Sequence, residues 1–333
     1  MRFDNTLCRR WDSALIAGLD AVIRRRFPGF ARYIAENEPG VTRPSSVAFP
    51  RTINDKFAWR KLFDHDPRFV TACDKLASKP LVAARAPALR VAPLLWDGRD
   101  AAAIPDALWQ GPAMLKASHG CRMNLALPVP DRTAAIAEAN GWLGQNYGAP
   151  HGEWGYYQVP RRLFVEGWVG LPGQAPDELK IYAFGGRLHR IVHIRDRFGA
   201  MAAAAWIPDP ASSTGWRRDA QGAAVGDADL DAPLPPTLDA ALDAARALAE
   251  GFDHMRVDLH LAGDEVWFGE LTAYNLSGHM PFWGHLADHP ANRDWDIRQS
   301  WFLTTKQRGW RGLYAAALRR ELTRQARRQA TPH

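Results

Sequence analysis

Asp258 and Glu270 stand on the two arms of a stretch that reads as a β-hairpin: MRVDLHL, then AGDE, then VWFGELTAY. Side chains alternate along a strand, so Arg256, Asp258 and His260 share one face while Val257, Leu259 and Leu261 share the other. On the second arm, Val266, Phe268, Glu270 and Thr272 are expected on one face. With a three-residue connection, Gly263-Asp264-Glu265, Asp258 lies directly opposite Glu270, with Cβ atoms roughly 5 Å apart. Two bare carboxylates so placed repel each other. A divalent cation removes that penalty, and magnesium held by one or two carboxylates plus substrate phosphates is the usual arrangement where phosphoryl groups move. The plainer alternatives are that Asp258 pairs with Arg256 or faces solvent.

Lysines supply the second signal. The chain has seven, against 35 arginines. Where arginine has displaced lysine so widely, the lysines that remain mark positions suited to a compact ammonium on phosphate. That points to Lys75, Lys79, Lys116 and Lys180. Lys116 ends an apolar run, Met114-Leu115-Lys116, and Ser118-His119-Gly120 follows it. A strand-end lysine beside a glycine can meet phosphates, and it can equally be an exposed strand end. Lys75 and Lys79 are spaced to share a helix face and one anion. The alternative is that Asp74 caps that helix and both lysines are solvated.

These residues need elements to position them. Residues 12–36 read as a helix with Leu15, Leu19, Val22 and Ile23 on one stripe, interrupted at Pro28-Gly29. Residues 54–64 read as a short helix capped by Asn54, and 74–85 as another, broken near Pro80. Strands are expected from Arg90 to Trp96, at 112–117 and at 162–169. Asp131 is expected to cap a helix over 131–147. A hairpin is expected over 178–195, turning at Gly185-Gly186. A long loop follows over 207–236, then an amphipathic helix over 237–250 that stops at Gly251. A basic helix closes the chain at 311–329. Trp11, Trp59, Trp142 and Trp267 fall in helix or strand patterns and read as core.

Composition bounds the class. At 333 residues the chain is large enough for two or three lobes and a substantial core. The net charge is +6, which favours anionic partners such as nucleotides or acidic glycans. No nucleic-acid motif, GxGxxG or Walker A sequence is present. Three cysteines, Cys8, Cys73 and Cys121, have no metal-ligand or disulfide spacing. No signal peptide or apolar run of membrane-spanning length is read, so a cytoplasmic enzyme is expected.

Taken in order, Asn54-Asp55-Lys56, Trp59-Arg60, Asp74-Lys75, Leu115-Lys116, His119-Gly120, Asn124, Val165-Glu166, Lys180, Arg256-Val257-Asp258-Leu259 and Phe268-Gly269-Glu270-Leu271-Thr272 resemble the TupA-like branch of the ATP-grasp superfamily. The resemblance runs from about residue 50 to 285. That branch is associated with teichuronopeptide and capsular polysaccharide biosynthesis.

The resemblance implies an α+β fold of the ATP-grasp type, with two α+β lobes clasping a nucleotide cleft. The implied divisions are an N-terminal helical extension (1–50), an N-terminal lobe (51–105), a small ATP-grasp lobe (106–160), a large lobe with the metal site (161–300) and a C-terminal helix (301–333). It implies ATP and Mg2+ as cofactors. Lys75 and Lys116 would contact phosphates, with His119, Gly120 and Arg122 in the covering loop. Val165, Glu166 and Trp168 would lie on the strand that holds adenine, and Lys180 would face the phosphates or an acyl phosphate. Asp258 and Glu270 would bind the metal, with Thr272, Asn275 or water as third ligand. Lys116, Lys180 and Arg256 would act on the reacting groups, and His119, Arg195, Arg197 and Ser277-Gly278-His279 are candidates for substrate contact.

The implied activity is a carboxylate–amine ligase working through an acyl phosphate, joining a carboxylate-bearing small molecule or glycan precursor to an amine. Loose association with a membrane polysaccharide-synthesis complex is also implied, and no nucleic-acid partner. Three rival readings stay open: an ATP-grasp kinase acting on a hydroxyl; a glycan-binding or glycosyltransferase-like protein, whose 14 tryptophans and seven tyrosines would suit sugar stacking; and a degenerate nucleotide-binding scaffold, hinted at by the altered loop at 121–123.

Overall fold

In a computed structural model the described residues are 5–27, 29, 46–171, 174–197, 199–219, 228–229, 233–279 and 290–330. In chain order they include helices α1 (Asn5–Arg26), α2 (Ile53–Phe63), α3 (Arg68–Cys73) and α4 (Ser78–Arg85), then strands β1 (Leu94–Gly98), β2 (Ala113–Ala117) and β3 (Asn124–Leu127). Helix α5 (Arg132–Trp142) precedes β4 (Leu163–Gly167), β5 (Asp177–Phe184), β6 (Arg187–Arg195), β7 (Ala202–Pro208), β8 (Trp216–Arg218) and β9 (Ala228–Asp229). Helix α6 (Leu238–Ala249), β10 (His254–Ala262), β11 (Glu265–Thr272) and helix α7 (Gly309–Ala330) follow. The fold is α+β, in two compact units: residues 1–66 with 274–333, and residues 67–273. The first and last of the five expected segments fall in one unit.

In the unit of 1–66 and 274–333, α2 is buried along nearly its whole length, charged residues included. Its cap is Thr52, not Asn54: the Thr52 hydroxyl accepts from the Asp55 amide and the Asp55 carboxylate accepts from the Thr52 amide, a reciprocal capping box. Burial without a partner would be costly for the charged side chains. Lys56 Nζ donates to the carbonyls of Asn292 and Trp295, and Lys61 Nζ to the carbonyl and hydroxyl of Ser277. The run Asn54 to Arg60 is thus built into the interior of this unit. Helix α1 packs on α7 through Ile16, Ile23 and Asp12, whose carboxylate holds Arg320 and Arg324. The expected stripe is corrected there: Leu15 and Val22 are exposed, and so is Trp11. Of the stretch 12–36, all but Gly29 beyond Phe27 lies outside the described residues.

In the unit of 67–273, β1, β4, β2 and β3 form an antiparallel sheet in that order. Its buried face, with Leu115, Ala117, Leu163 and Val165, meets Ala135, Ala139 and Trp142 of α5. Asp131 caps α5 through the Ala134 amide, as expected. The second sheet has the order β11-β10-β5-β6-β7-β8, antiparallel, with β9 parallel to β7. Helix α6 packs its Leu238, Leu242, Ala245 and Leu248 stripe against this sheet and ends at Gly251, whose φ is +78°. Strands β8 and β9 and the last two residues of β7 fall within the loop expected over 207–236. The β7 sequence, AAAAWIP, has little β propensity of its own, and its pairing with β6 places it.

Candidate active site

The β10–β11 hairpin pairs Asp258 directly with Glu270, as expected, but by a different route. The turn has two residues, Gly263-Asp264, because Ala262 pairs with Glu265. That register alone would set Asp258 against Gly269. A bulge between Asp258/Glu270 and Leu259/Phe268 absorbs Gly269 and restores the pair. A Cβ on Gly269 would lie 2.8 Å from the Asp258 carbonyl oxygen and 3.1 Å from His260 Nε2, so only glycine fits without a shift. The bulge also switches faces. Val266 and Phe268 pair with Leu261 and Leu259, and so do not share a face with Glu270 and Thr272.

Strand β5 pairs with the other edge of β10. Lys180 is opposite Asp258, Glu178 opposite His260, and Tyr182 opposite Arg256. On β11, Glu270, Trp267 and Thr272 complete the same three rows. One sheet face thus carries Lys180–Asp258–Glu270 flanked by Glu178–His260–Trp267 and Tyr182–Arg256–Thr272.

The charges on this face are closely paired. Lys180 Nζ is 2.7 Å from Asp258 Oδ2 and 3.2 Å from Glu178 Oε2. Arg256 forks onto Asp258, with Nε 2.5 Å from Oδ1 and Nη2 2.6 Å from Oδ2. The same Nη2 is 3.1 Å from the Thr272 hydroxyl and 3.3 Å from Glu270 Oε1. Burial alone would raise the Asp258 pKa, but Arg256 and Lys180 hold it well below the usual carboxylate range. Lys180 and Arg256 are raised in turn, since the opposing carboxylates outweigh their burial.

The smaller sheet and the turn before α4 bring more lysines. Lys116 on β2 is 2.6 Å and Lys79 2.7 Å from opposite oxygens of Glu166 on β4. Burial would raise Glu166, but these two ammonium groups lower it. Lys75 is not on the α4 face with Lys79. It sits in the turn before the helix, where Asp74 accepts from the Leu76 and Ala77 amides. There the Lys75 amide donates to the Ser118 carbonyl, and its Nζ donates to the Gly120 carbonyl and lies 3.7 Å from Glu270 Oε2. Both lysines are paired and largely buried rather than free in solvent. His260 ties the two sets together: burial lowers its pKa, and its ring lies within the fields of Glu178, Lys116, Lys180 and Glu166. Its Nδ1 is buried with no hydrogen-bond partner among the described residues.

The other expected positions are placed as follows. His119 is buried with Nε2 on the Trp142 carbonyl, so it faces the core of the small sheet. Gly120 is pressed against Met123 and Tyr147, where a Cβ would lie 2.8 Å from the Met123 sulfur. Arg122 is exposed, with φ +60° and no polar partner among the described residues. Val165 is fully buried in the core of the small sheet. Trp168 donates from Nε1 to the Leu171 carbonyl and lines a cavity of about 1100 Å3. Arg197 joins the cluster through Glu178, 2.7 Å away. Arg195 does not: it binds Asp177 beside His193, on the opposite face of β5 and β6. Asn275, Ser277, Gly278 and His279 belong to the other unit. Asn275 is buried there, and Ser277 receives Lys61.

Sequence reasoning gave no role to Glu178, His260 or Gly269. Glu178 alternates with Lys180 along β5, His260 alternates with Asp258 along β10, and a glycine inside a strand marks a bulge, so each had a signal.

The cluster holds six cationic side chains (Lys75, Lys79, Lys116, Lys180, Arg197 and Arg256) and four carboxylates (Glu166, Glu178, Asp258 and Glu270). The excess of two positive charges suits a polyanion better than a bare metal ion. Among the described residues no group of three or more His, Cys, Asp or Glu could hold a metal by itself. Asp258, Glu270 and the Thr272 hydroxyl do offer hard oxygen donors of the kind magnesium takes when phosphate oxygens complete its shell. Glu270 is the readier ligand, because its oxygens make only contacts of 3.3 and 3.7 Å to cations, whereas both Asp258 oxygens are engaged.

No protein-family model matches the chain, and no curated protein matches it. Among solved structures, it is similar to D-alanine–D-alanine ligase from Bacillus anthracis, at 12% identity and TM-score 0.36 over 78% of this chain and 69% of that one. It is similar to the ATP-grasp ligase PsnB complexed with a phosphomimetic variant of its minimal precursor, Mg and ADP, at 14% identity and TM-score 0.37 over 74% and 66%. It is also similar to VanG D-Ala:D-Ser ligase from Enterococcus faecalis, at 15% identity and TM-score 0.37 over 74% and 61%. The chain therefore spans 61% to 69% of the lengths of these three structures. Likeness at this level leaves the functional argument to the chain's own site.

Proposed function

We propose that this chain is an ATP-grasp ligase that joins a carboxylate to an amine at the expense of ATP. The observation that carries the reading is the row Lys180–Asp258–Glu270, with Lys75 reaching within 3.7 Å of Glu270 and cations outnumbering carboxylates around it. Lys75 and Lys116 take the phosphates of ATP, and Lys116 exchanges its Glu166 partner for a phosphate oxygen. Asp258 and Glu270, with Thr272, hold the magnesium ion, which supplies charge neutralisation at the phosphates when bound.

In the first step the substrate carboxylate oxygen attacks the γ-phosphorus and the bond to ADP breaks, giving an acyl phosphate. Lys180 and Arg256 stabilise the charge on the transferring group. In the second step the amine nitrogen attacks the acyl carbon, phosphate leaves, and the amine proton is lost to solvent. The chain's part is positioning and electrostatics, so no nucleophilic side chain is required.

The motifs that resemble the TupA-like branch support a carboxylate-bearing glycan or glycan precursor as the substrate class. Measuring ADP release with candidate carboxylates, with and without an amine, tests the reading. ADP release that requires both substrates supports a ligase. A phosphorylated product formed with no amine requirement would make the chain a kinase instead.

A further inference from the structure

Helix α1 packs one side on α7 and leaves a second side bare. Its packed side carries Asp12, Ile16 and Ile23. Its bare side carries Trp11 (75% exposed), Leu15 (40%) and Val22 (56%), with Gly18 between them. The intervals of four, three and four residues set all four within about 60° of one another around the helix. Large apolar side chains aligned on an exposed face mark a surface that something covers.

The charges around the stripe identify what covers it. The two acids of α1 are already spent, Asp12 on Arg320 and Arg324 and Asp20 on Arg24. Arg10, Arg25 and Arg26 are exposed and have no polar partner among the described residues. At about 100° per residue Arg25 and Arg26 flank the stripe on either side and Arg10 lies about a quarter turn beyond its edge, so the stripe is bordered by uncompensated positive charge. A second copy of the same helix would bring these arginines against their own kind. An anionic lipid surface answers both features, with the apolar side chains entering the acyl boundary and the arginines meeting headgroups. Tryptophan favours that depth, being apolar in body and polar at one edge. Helix α7 runs antiparallel to α1, since Asp12 meets Arg320 and Arg324 while Asp20 and Tyr314 both bind the backbone of Ala48. Its exposed Trp310 and Leu313 therefore fall at the end of the pair where α1 finishes.

We propose that α1 docks the protein on an anionic membrane surface, lying in the plane of the headgroups. No helix among the described residues is long and apolar enough to cross a membrane, so this is surface attachment. The proposal does not depend on the ligase reading.

The test is co-sedimentation of the full chain with vesicles of phosphatidylcholine alone and of phosphatidylcholine with phosphatidylglycerol. Binding is expected to be at least about tenfold stronger to the anionic vesicles and to weaken as salt is raised. Trp11→Ser is expected to abolish most of it, and Arg25→Gln with Arg26→Gln to weaken it, while the circular dichroism and melting temperature stay unchanged. Equal binding to both vesicle types, no binding to either, or full binding by Trp11→Ser would overturn the proposal. So would a concentration-dependent dimer that Trp11→Ser dissolves while vesicles bind neither form, which would assign the stripe to a second copy of the chain.

Discussion

Lys180 and Asp258 are direct cross-strand partners, with Nζ 2.7 Å from Oδ2, and Glu270 pairs with Asp258 from the strand on the other side. A buried acid is thus flanked by a cation on one strand and a second acid on another. Arg256, on the same strand as Asp258, spans the gap between the two acids. Such an arrangement holds its charge only while every partner is present.

Removing the central acid should therefore be costly. Asp258→Asn leaves Lys180 with Glu178 at 3.2 Å and Arg256 with Glu270 at 3.3 Å, so each buried cation loses its shortest ion pair. Loss of one partner from a buried ion pair typically costs about 3–5 kcal/mol. Urea unfolding should show a loss of that order, and Lys180→Met in the Asp258→Asn background should recover part of it.

Acid should destabilise the unit of 67–273 through the same groups. Asp258, Glu166 and Glu178 all have folded pKa values below their ordinary ones, because cations outweigh burial at each. A depressed carboxylate contributes stability that is complete above its unfolded pKa, about 4, and is lost as pH falls through the lower folded value. The urea midpoint should therefore fall below about pH 4, and the fall should be shallower in Glu166→Gln.

Asp55 should act with the opposite sign. Burial pushes its carboxyl up to about 6, against hydrogen bonds from Thr52 and Arg51 that pull it down. Its stabilisation is complete below the unfolded pKa and is lost as pH rises through about 6. Asp55→Asn, which can still accept at the cap, should raise stability at pH 7 by about 1–3 kcal/mol. The difference should vanish below about pH 4.

The bulge makes a separate prediction. Gly269→Ala sets a methyl group 2.8 Å from the Asp258 carbonyl oxygen. The bulged backbone must shift, at a cost of about 1–3 kcal/mol. The shift moves Asp258 relative to Glu270, so Gly269→Ala should also weaken Mg-ATP binding, read by the ligand-induced rise in melting temperature.

The hairpin shows what was legible in the sequence and what was not. Alternation of charged and apolar residues fixed the faces of β10, and the acid pair was correctly foreseen. The expected three-residue connection was wrong, and the foreseen pair held because a bulge compensated for a shorter turn. Turn length and bulge position depend on backbone energetics that residue types only hint at through Gly269. Lys75 and Lys79 were misread for a related reason. Their spacing matches a helix face, but Asp74 draws two amides into a turn and delays the helix to Ser78. For α1, both Leu15 and Ile16 lie at helix-compatible spacings, and only the docking of α7 decides which side is covered. The α+β class and most strands were legible because they rest on local periodicity. The ion pairs joining β2, β4, β5 and β10 were not, because they depend on distant segments meeting.

Isothermal titration of Mg-ATP into the wild-type chain and into Glu270→Gln tests the central claim most directly. Glu270 is the acid with the least engaged oxygens, so its amide should leave the fold intact while removing the readier metal ligand. The wild-type chain should bind Mg-ATP, and Glu270→Gln should bind it at least about tenfold more weakly, a loss of about 1.4 kcal/mol or more. Failure of the wild-type chain to bind any adenine nucleotide, or equal binding by both, would contradict the account.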